Sequence, residues 1–217
     1  MNLEGLKINI LGDSITEGTG ASDENHTYWK YFETIDGATV NAYGIGGTRI
    51  AKQRVPSEEA KYDEYFGKRV AGMTNDADIV LVFGGTNDHG HGDAPLGHMS
   101  DRTDDTFYGA LHNLYTALIE KYPTSRIIVM TPLHRLGEND DINGFGIRNV
   151  GTLKDYVNII KEVAAYYALP VIDLYETSGM QPELPILQST YNPDGLHPSD
   201  AGHKRIYDVV KAYLASM

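Results

Sequence analysis

Four short stretches of the chain hold the residue types that could do chemistry together: Gly12-Asp13-Ser14-Ile15-Thr16, Asn41-Ala42-Tyr43-Gly44-Ile45-Gly46-Gly47, Gly84-Gly85-Thr86-Asn87-Asp88 and Asp194-Gly195-Leu196-His197-Pro198. A serine hydroxyl becomes a nucleophile only with a base beside it, and the charge that then develops on an attacked carbonyl needs donors. Asp194, three residues ahead of His197, is spaced to hold one imidazole nitrogen and fix the tautomer. The other nitrogen is then free to take a proton from a serine. The amide of Asn87 offers two donors and no charge, which suits an oxyanion. The glycines at 44, 46 and 47 let a backbone N–H approach a ligand closely.

Each piece alone has a plainer reading. A Gly-Asp-Ser turn after a strand is commonly just a turn, with Asp13 or Ser14 capping a helix. The glycines fit a tight turn, and Asp-x-x-His fits a surface pair or half a metal site. Two better-known motifs are excluded. Thr16 stands where a nucleophile elbow needs its second glycine. Arg49 stands where a dinucleotide-binding loop needs its last one.

Taken in order, the four blocks resemble the SGNH hydrolases, also called the GDSL esterase and lipase family, and they span the chain from residue 12 to residue 198. The resemblance implies hydrolysis of an ester through an acyl-enzyme, with Ser14 as nucleophile, His197 as base and Asp194 as its partner. The family's glycine block places an oxyanion donor five positions after its asparagine, which here is Gly46. The implied oxyanion hole is therefore the N–H groups of Ser14 and Gly46 with the Asn87 side chain. No cofactor or metal is called for.

These pieces must be held by a scaffold, and the apolar patterning describes one. Strand character falls at residues 7–11, 39–43, 78–83, 126–130 and 169–174. Ile79 to Phe83 and Ile127 to Met130 are continuous apolar runs, as in a parallel sheet covered on both faces. Helical spacing links Phe107, Ala110, Leu111, Leu114 and Leu118, then Leu153 through Tyr167, then Ile206 through Leu214. Thr152 reads as an N-cap, with Asp155 completing an acidic capping box. Alternating strands and helices give an α/β fold: a three-layer α/β/α sandwich on a five-stranded parallel sheet, expected as one domain over residues 1–217. The flavodoxin-like order 2-1-3-4-5 is what the resemblance implies. Long connections at 88–103, 132–151 and 176–193 follow strands three, four and five, so they fall on the sheet edge that carries Ser14.

Composition removes several classes of function. The 217 residues carry a net charge of −12, unsuited to a phosphate-backbone partner. The short basic clusters Lys68-Arg69 and Lys204-Arg205 read as solvated helix faces. With no cysteine, disulfides and thiolate chemistry are excluded. No run approaches the ~20 apolar residues of a membrane span, and residues 1–7 do not read as a signal peptide. A cytoplasmic protein is the expectation.

The loops suggest the substrate. Asp13, His89, His91, His134 and Arg135 are candidate polar contacts in the cleft. A divalent cation on His89, His91, Asp93 and His98 is the weaker reading of that loop. His26, His112 and His203 have no partner pattern and read as structural or surface residues. The polar loops favour an O-acetyl ester of a carbohydrate. Met180 and Leu184-Pro185-Ile186-Leu187 form an apolar stretch that suits a longer acyl chain, as in a lysophospholipase or thioesterase, or a contact between subunits of a homo-oligomer. A catalytically silent carbohydrate-binding module on the same fold is a third reading. The intact set of Ser14, Asn87 and His197 argues against it.

Overall fold

The computed structural model describes residues 1–142, 146 and 150–217. Five strands, β1 (Lys7–Gly12), β2 (Thr39–Gly44), β3 (Ile79–Phe83), β4 (Arg126–Met130) and β5 (Val171–Ile172), pair in the order β2-β1-β3-β4-β5. All four pairings are parallel. The expected order and the α/β/α layering are both observed.

Alternate side chains of each strand go to opposite faces, and this divides the core in two. Val80 and Val82 of β3 pack with Leu11, Val129 and the inward stripes of α5 (Phe107–Lys121) and α6 (Leu153–Tyr166). Ile79, Leu81 and Phe83 pack on the other face with Ile8, Ile10, Ile128 and the stripe Ile206, Tyr207, Val210, Leu214 of α9 (Asp200–Ala215). Continuous apolar runs are what a strand buried on both faces requires, and β3 is buried throughout. One polar side chain interrupts this pattern. Asn9 is fully buried, yet its amide donates to Thr74 O and Tyr122 OH and accepts from Asn41 Nδ2 at 2.9 Å. The capping box at Thr152 and Asp155 forms as the sequence predicts.

Three expectations need correction. The fifth strand is two residues long, not six: Pro170 has no N–H to give a ladder, Ala168 takes a positive φ of 54°, and Asp173 turns its side chain to cap α7 (Leu174–Thr177). The connections after strands three and five carry helices of their own, α4 (Thr86–His91) and α8 (Pro185–Tyr191). Arg69, at the end of α3 (Phe66–Arg69), is not on a solvated face. It donates to Tyr43 O, Gly12 O and Thr48 Oγ1, tying the ends of β1 and β2 together beside the site.

Candidate active site

Ser14 opens the short helix α1 (Ser14–Glu17) directly at the end of β1. Asp13 caps that helix by accepting from Ile15 N at 3.1 Å. In the first turn of a helix an N–H has no intrahelical acceptor, and the Ser14 N–H is one of these. Gly44, at the end of β2, allows α1 to lie close: a Cβ there would sit 2.1 Å from Glu17 N. A side chain at that position would push Ser14 off the sheet.

His197 comes from the loop ahead of α9. Its Nε2 lies 3.1 Å from Ser14 Oγ, and its Nδ1 lies 2.7 Å from Asp194 Oδ2. Asp194 Oδ1 accepts the N–H groups of Leu196 and His197 at 2.8 and 2.7 Å. Burial by itself would raise the Asp194 pKa. The bonds from the His197 ring and from these N–H groups outweigh it and hold the carboxyl below its ordinary range. Asp194 is therefore an anion wherever a histidine titrates. That fixes Nδ1 as the donor and leaves Nε2 to accept from the serine.

Asn87 sits in α4, 5% exposed, and its Nδ2 donates to Thr48 O at 2.9 Å. The second amide hydrogen is directed away from that carbonyl. Asn87 Oδ1 lies 3.2 Å from His91 Nε2, and Arg49 Nη1 lies 2.9 Å from His91 Nδ1. Gly46 is beside Ser14, since a Cβ built there would be 3.6 Å from Ser14 Cβ. Its N–H donates to Glu17 Oε2 at 3.0 Å. Ser14, Gly46, Asn87 and His197 all line one open cleft of about 840 Å³, with Arg49, Ser57, Glu58, Lys61, Tyr62, His91 and Arg135 around them.

Of the five expected substrate contacts, His91 and Arg135 line this cleft. The other three are placed elsewhere. Asp13 is buried beneath the site, and that burial pushes its carboxyl up to about 7. His89 is buried with its ring 6.0 Å from that of Tyr156, and burial lowers its pKa to about 4. His134 is bound by Glu138 at 2.9 Å and lies on the Tyr175 ring. The residues weighed for a cation diverge as well. Asp93 accepts the N–H groups of Arg54 and Val55, while His91 and His89 point to the separate partners just described. Among the described residues no three His, Asp or Glu side chains converge.

His112 and His203 are buried structural residues, and His26 is a half-buried partner of Asp23. The sequence reading missed Glu17, Arg49 and Tyr62 as cleft residues. Their neighbours are distant in sequence, so no local spacing pointed to them.

A doubly covered parallel sheet with a serine, an aspartate-held histidine and an asparagine amide gathered at one end defines an ester hydrolase. The chain belongs to the GDSL-like lipase/acylhydrolase family, whose sequence profile matches residues 10–205. It is similar to a solved structure of 32% identity, covering 100% of this chain and 99% of that one with a TM-score of 0.85. It is also similar to a Lactobacillus plantarum protein of 30% identity, covering 98% of each chain with a TM-score of 0.82. An acetyl xylan esterase shares the fold at 20% identity and a TM-score of 0.61, over 96% of this chain and 100% of that one. Among curated proteins none matches the chain. No helix of the described residues is long and apolar enough to cross a membrane.

Proposed function

We propose that Ser14 is the nucleophile of this esterase, His197 its base and Asp194 the group that orients and polarises the base. The observation that carries this is the continuous hydrogen-bond chain from Ser14 Oγ through His197 to Asp194, at 3.1 and 2.7 Å. His197 Nε2 takes the hydroxyl proton as Oγ attacks the ester carbonyl. The imidazolium then returns it to the leaving alcohol. An acyl-enzyme remains, and the same histidine activates water to release the acid. The Ser14 and Gly46 N–H groups and the second hydrogen of Asn87 Nδ2 hold the oxyanion of both tetrahedral intermediates.

The proposed substrate is a short-acyl ester of a carbohydrate alcohol, an O-acetyl sugar in the first instance. The cleft lining supports this reading. Its aliphatic members are Ile45 and Leu196, whereas Ser57, Glu58, Lys61, Arg49 and Arg135 are polar and Tyr62 offers an aromatic face. The stretch that suggested a long acyl chain is not part of the cleft: Met180 is buried in the α9 core, and Leu184 and Ile186 stand exposed on and beside α8. The fold shared with an acetyl xylan esterase agrees with a sugar ester. The test is kcat/KM over p-nitrophenyl esters from acetyl to decanoyl, together with acetate release from acetylated xylan. A maximum at acetyl with measurable acetate release is expected. A maximum at octanoyl or decanoyl would replace this reading by a longer-chain acylhydrolase.

A further inference from the structure

The oxyanion asparagine has a side chain that can point either of two ways. An amide presents an acceptor on one side and two donors on the other, and a half-turn about its last bond exchanges them. Only one orientation offers a donor to an oxyanion, so something must select it. Thr48 O selects weakly, being a single acceptor at 2.9 Å from Nδ2. The other side of the amide is held by a chain of two residues whose donor and acceptor roles follow from chemistry alone.

Arg49 has no acceptor, so at 2.9 Å its Nη1 donates to His91 Nδ1. That nitrogen is then unprotonated, and the ring's single proton lies on Nε2. Nε2 is 3.2 Å from Asn87 Oδ1 and donates to it. The start of the chain is rigid. Arg49 is 4% exposed, and its Nη2 also donates to Ser57 Oγ, Tyr62 O and Asp63 Oδ1. His91 lies four residues after Asn87 in α4, so one helical turn brings the ring over the amide. Reversing the amide would face Nδ2 against the His91 N–H and Oδ1 against Thr48 O, a donor–donor and an acceptor–acceptor clash at once. Burial, and then the charges of Arg49 and Arg135, lower the pKa of His91 to about 4. The ring therefore stays neutral, with this tautomer, over the range in which a histidine base is active.

We propose that His91, set by Arg49, is a positioning residue that fixes the Asn87 amide with its nitrogen toward the oxyanion. The proposal rests on the reading of Asn87 as an oxyanion donor. His91 touches no reacting atom. It acts on the transition state only through Asn87, so its loss changes kcat and leaves KM nearly unaltered.

The test is steady-state kinetics with p-nitrophenyl acetate on His91→Gln, His91→Glu and His91→Ala, each alone and combined with Asn87→Ala, with Tm measured in parallel. Gln retains an acceptor for Arg49 and a donor for Asn87, so kcat within a few-fold of wild type is expected. Glu keeps and strengthens the pairing with Arg49, which preserves the fold, but offers Asn87 only acceptors. The amide then turns its nitrogen to the new carboxylate. A kcat loss near that of Asn87→Ala is expected, about 10²–10³-fold, with KM within a few-fold. In the Asn87→Ala background neither His91→Glu nor His91→Ala should lower kcat further, because nothing remains to orient. The proposal is overturned if His91→Glu retains wild-type kcat, or if His91 substitutions cost the same factor with and without Asn87. A wild-type kcat in Asn87→Ala alone would instead overturn the oxyanion reading. If His91→Ala does not fold, the Gln and Glu pair still decides, since both keep the Arg49 contact.

Discussion

Glu17 and Gly46 are joined by a hydrogen bond: the Gly46 N–H donates to Glu17 Oε2 at 3.0 Å. The bond closes α1 onto the turn after β2, and it places a carboxylate at the donor that the proposed mechanism assigns to the oxyanion. An oxyanion seated there would displace this carboxylate or lie beside it, and both carry negative charge.

The first prediction follows. Glu17→Ala should raise kcat for p-nitrophenyl acetate by about tenfold, a barrier change of about 1.4 kcal/mol. Glu17→Gln, which keeps an oxygen but no charge, should fall between. A lower kcat in both variants, at unchanged Tm, would mean that Glu17 helps the reaction and that Gly46 is not the working donor.

For the proposed nucleophile, Ser14→Ala should abolish covalent labelling by an organophosphonate while the Tm stays near that of wild type, since only a hydroxyl is removed. Mass spectrometry supplies the check. A phosphonate adduct on any residue of the variant, at the wild-type rate, would assign the chemistry elsewhere.

The proposed base and its partner should separate in their effects. His197→Ala should cost several orders of magnitude in kcat/KM and Asp194→Ala less, because the first loses the proton acceptor and the second only its orientation. A larger loss at Asp194 than at His197 would reverse the assignment.

His203 gives a prediction on stability. Its Nδ1 accepts from Tyr28 N at 3.2 Å and its Nε2 faces Thr19 O at 3.4 Å, so it joins α9 to the loop after α1. Burial lowers its pKa to about 4. In the unfolded chain a histidine takes its proton near ~6.5, so between these values the unfolded state binds more protons than the folded one. The stability it lends is complete above about 6.5 and is lost as the pH falls through 4, a change on the order of 3 kcal/mol. Protonation would also turn Nδ1 into a donor facing the Tyr28 N–H. Asp13 and Asp88 shift the opposite way, raised by burial to about 7 and about 6, so the difference between proteins is the quantity to measure. Urea unfolding of wild type and His203→Gln should differ most at pH 7 and converge toward pH 4. A constant difference across that range would show that His203 does not titrate between folded and unfolded states.

Sequence determined the parts of this protein that are local. Strand β3 was legible because Ile79 to Phe83 is apolar at every position, which only a strand covered on both faces requires. The capping box at Thr152 and the closeness of Asp194 to His197 were legible for the same reason: three residues of separation fix the geometry before any tertiary contact forms. The four blocks also gave the family and, through it, the strand order. What the sequence could not determine is which distant groups meet. Arg69 read as a solvated cation until the fold brought the Gly12 and Tyr43 carbonyls to it across 57 and 26 residues. Leu169 to Leu174 carried a strand's composition, but the cap supplied by Asp173 ended it after Val171 and Ile172. Asn87 stood out in the sequence for its two amide donors, yet the groups around it did not: His91 lies against its Oδ1 and is itself contacted by Arg49, 42 residues earlier. His89 and His91 look alike in the chain. Helix α4 sends one into the core and the other to the cleft, because two residues along a helix is more than half a turn.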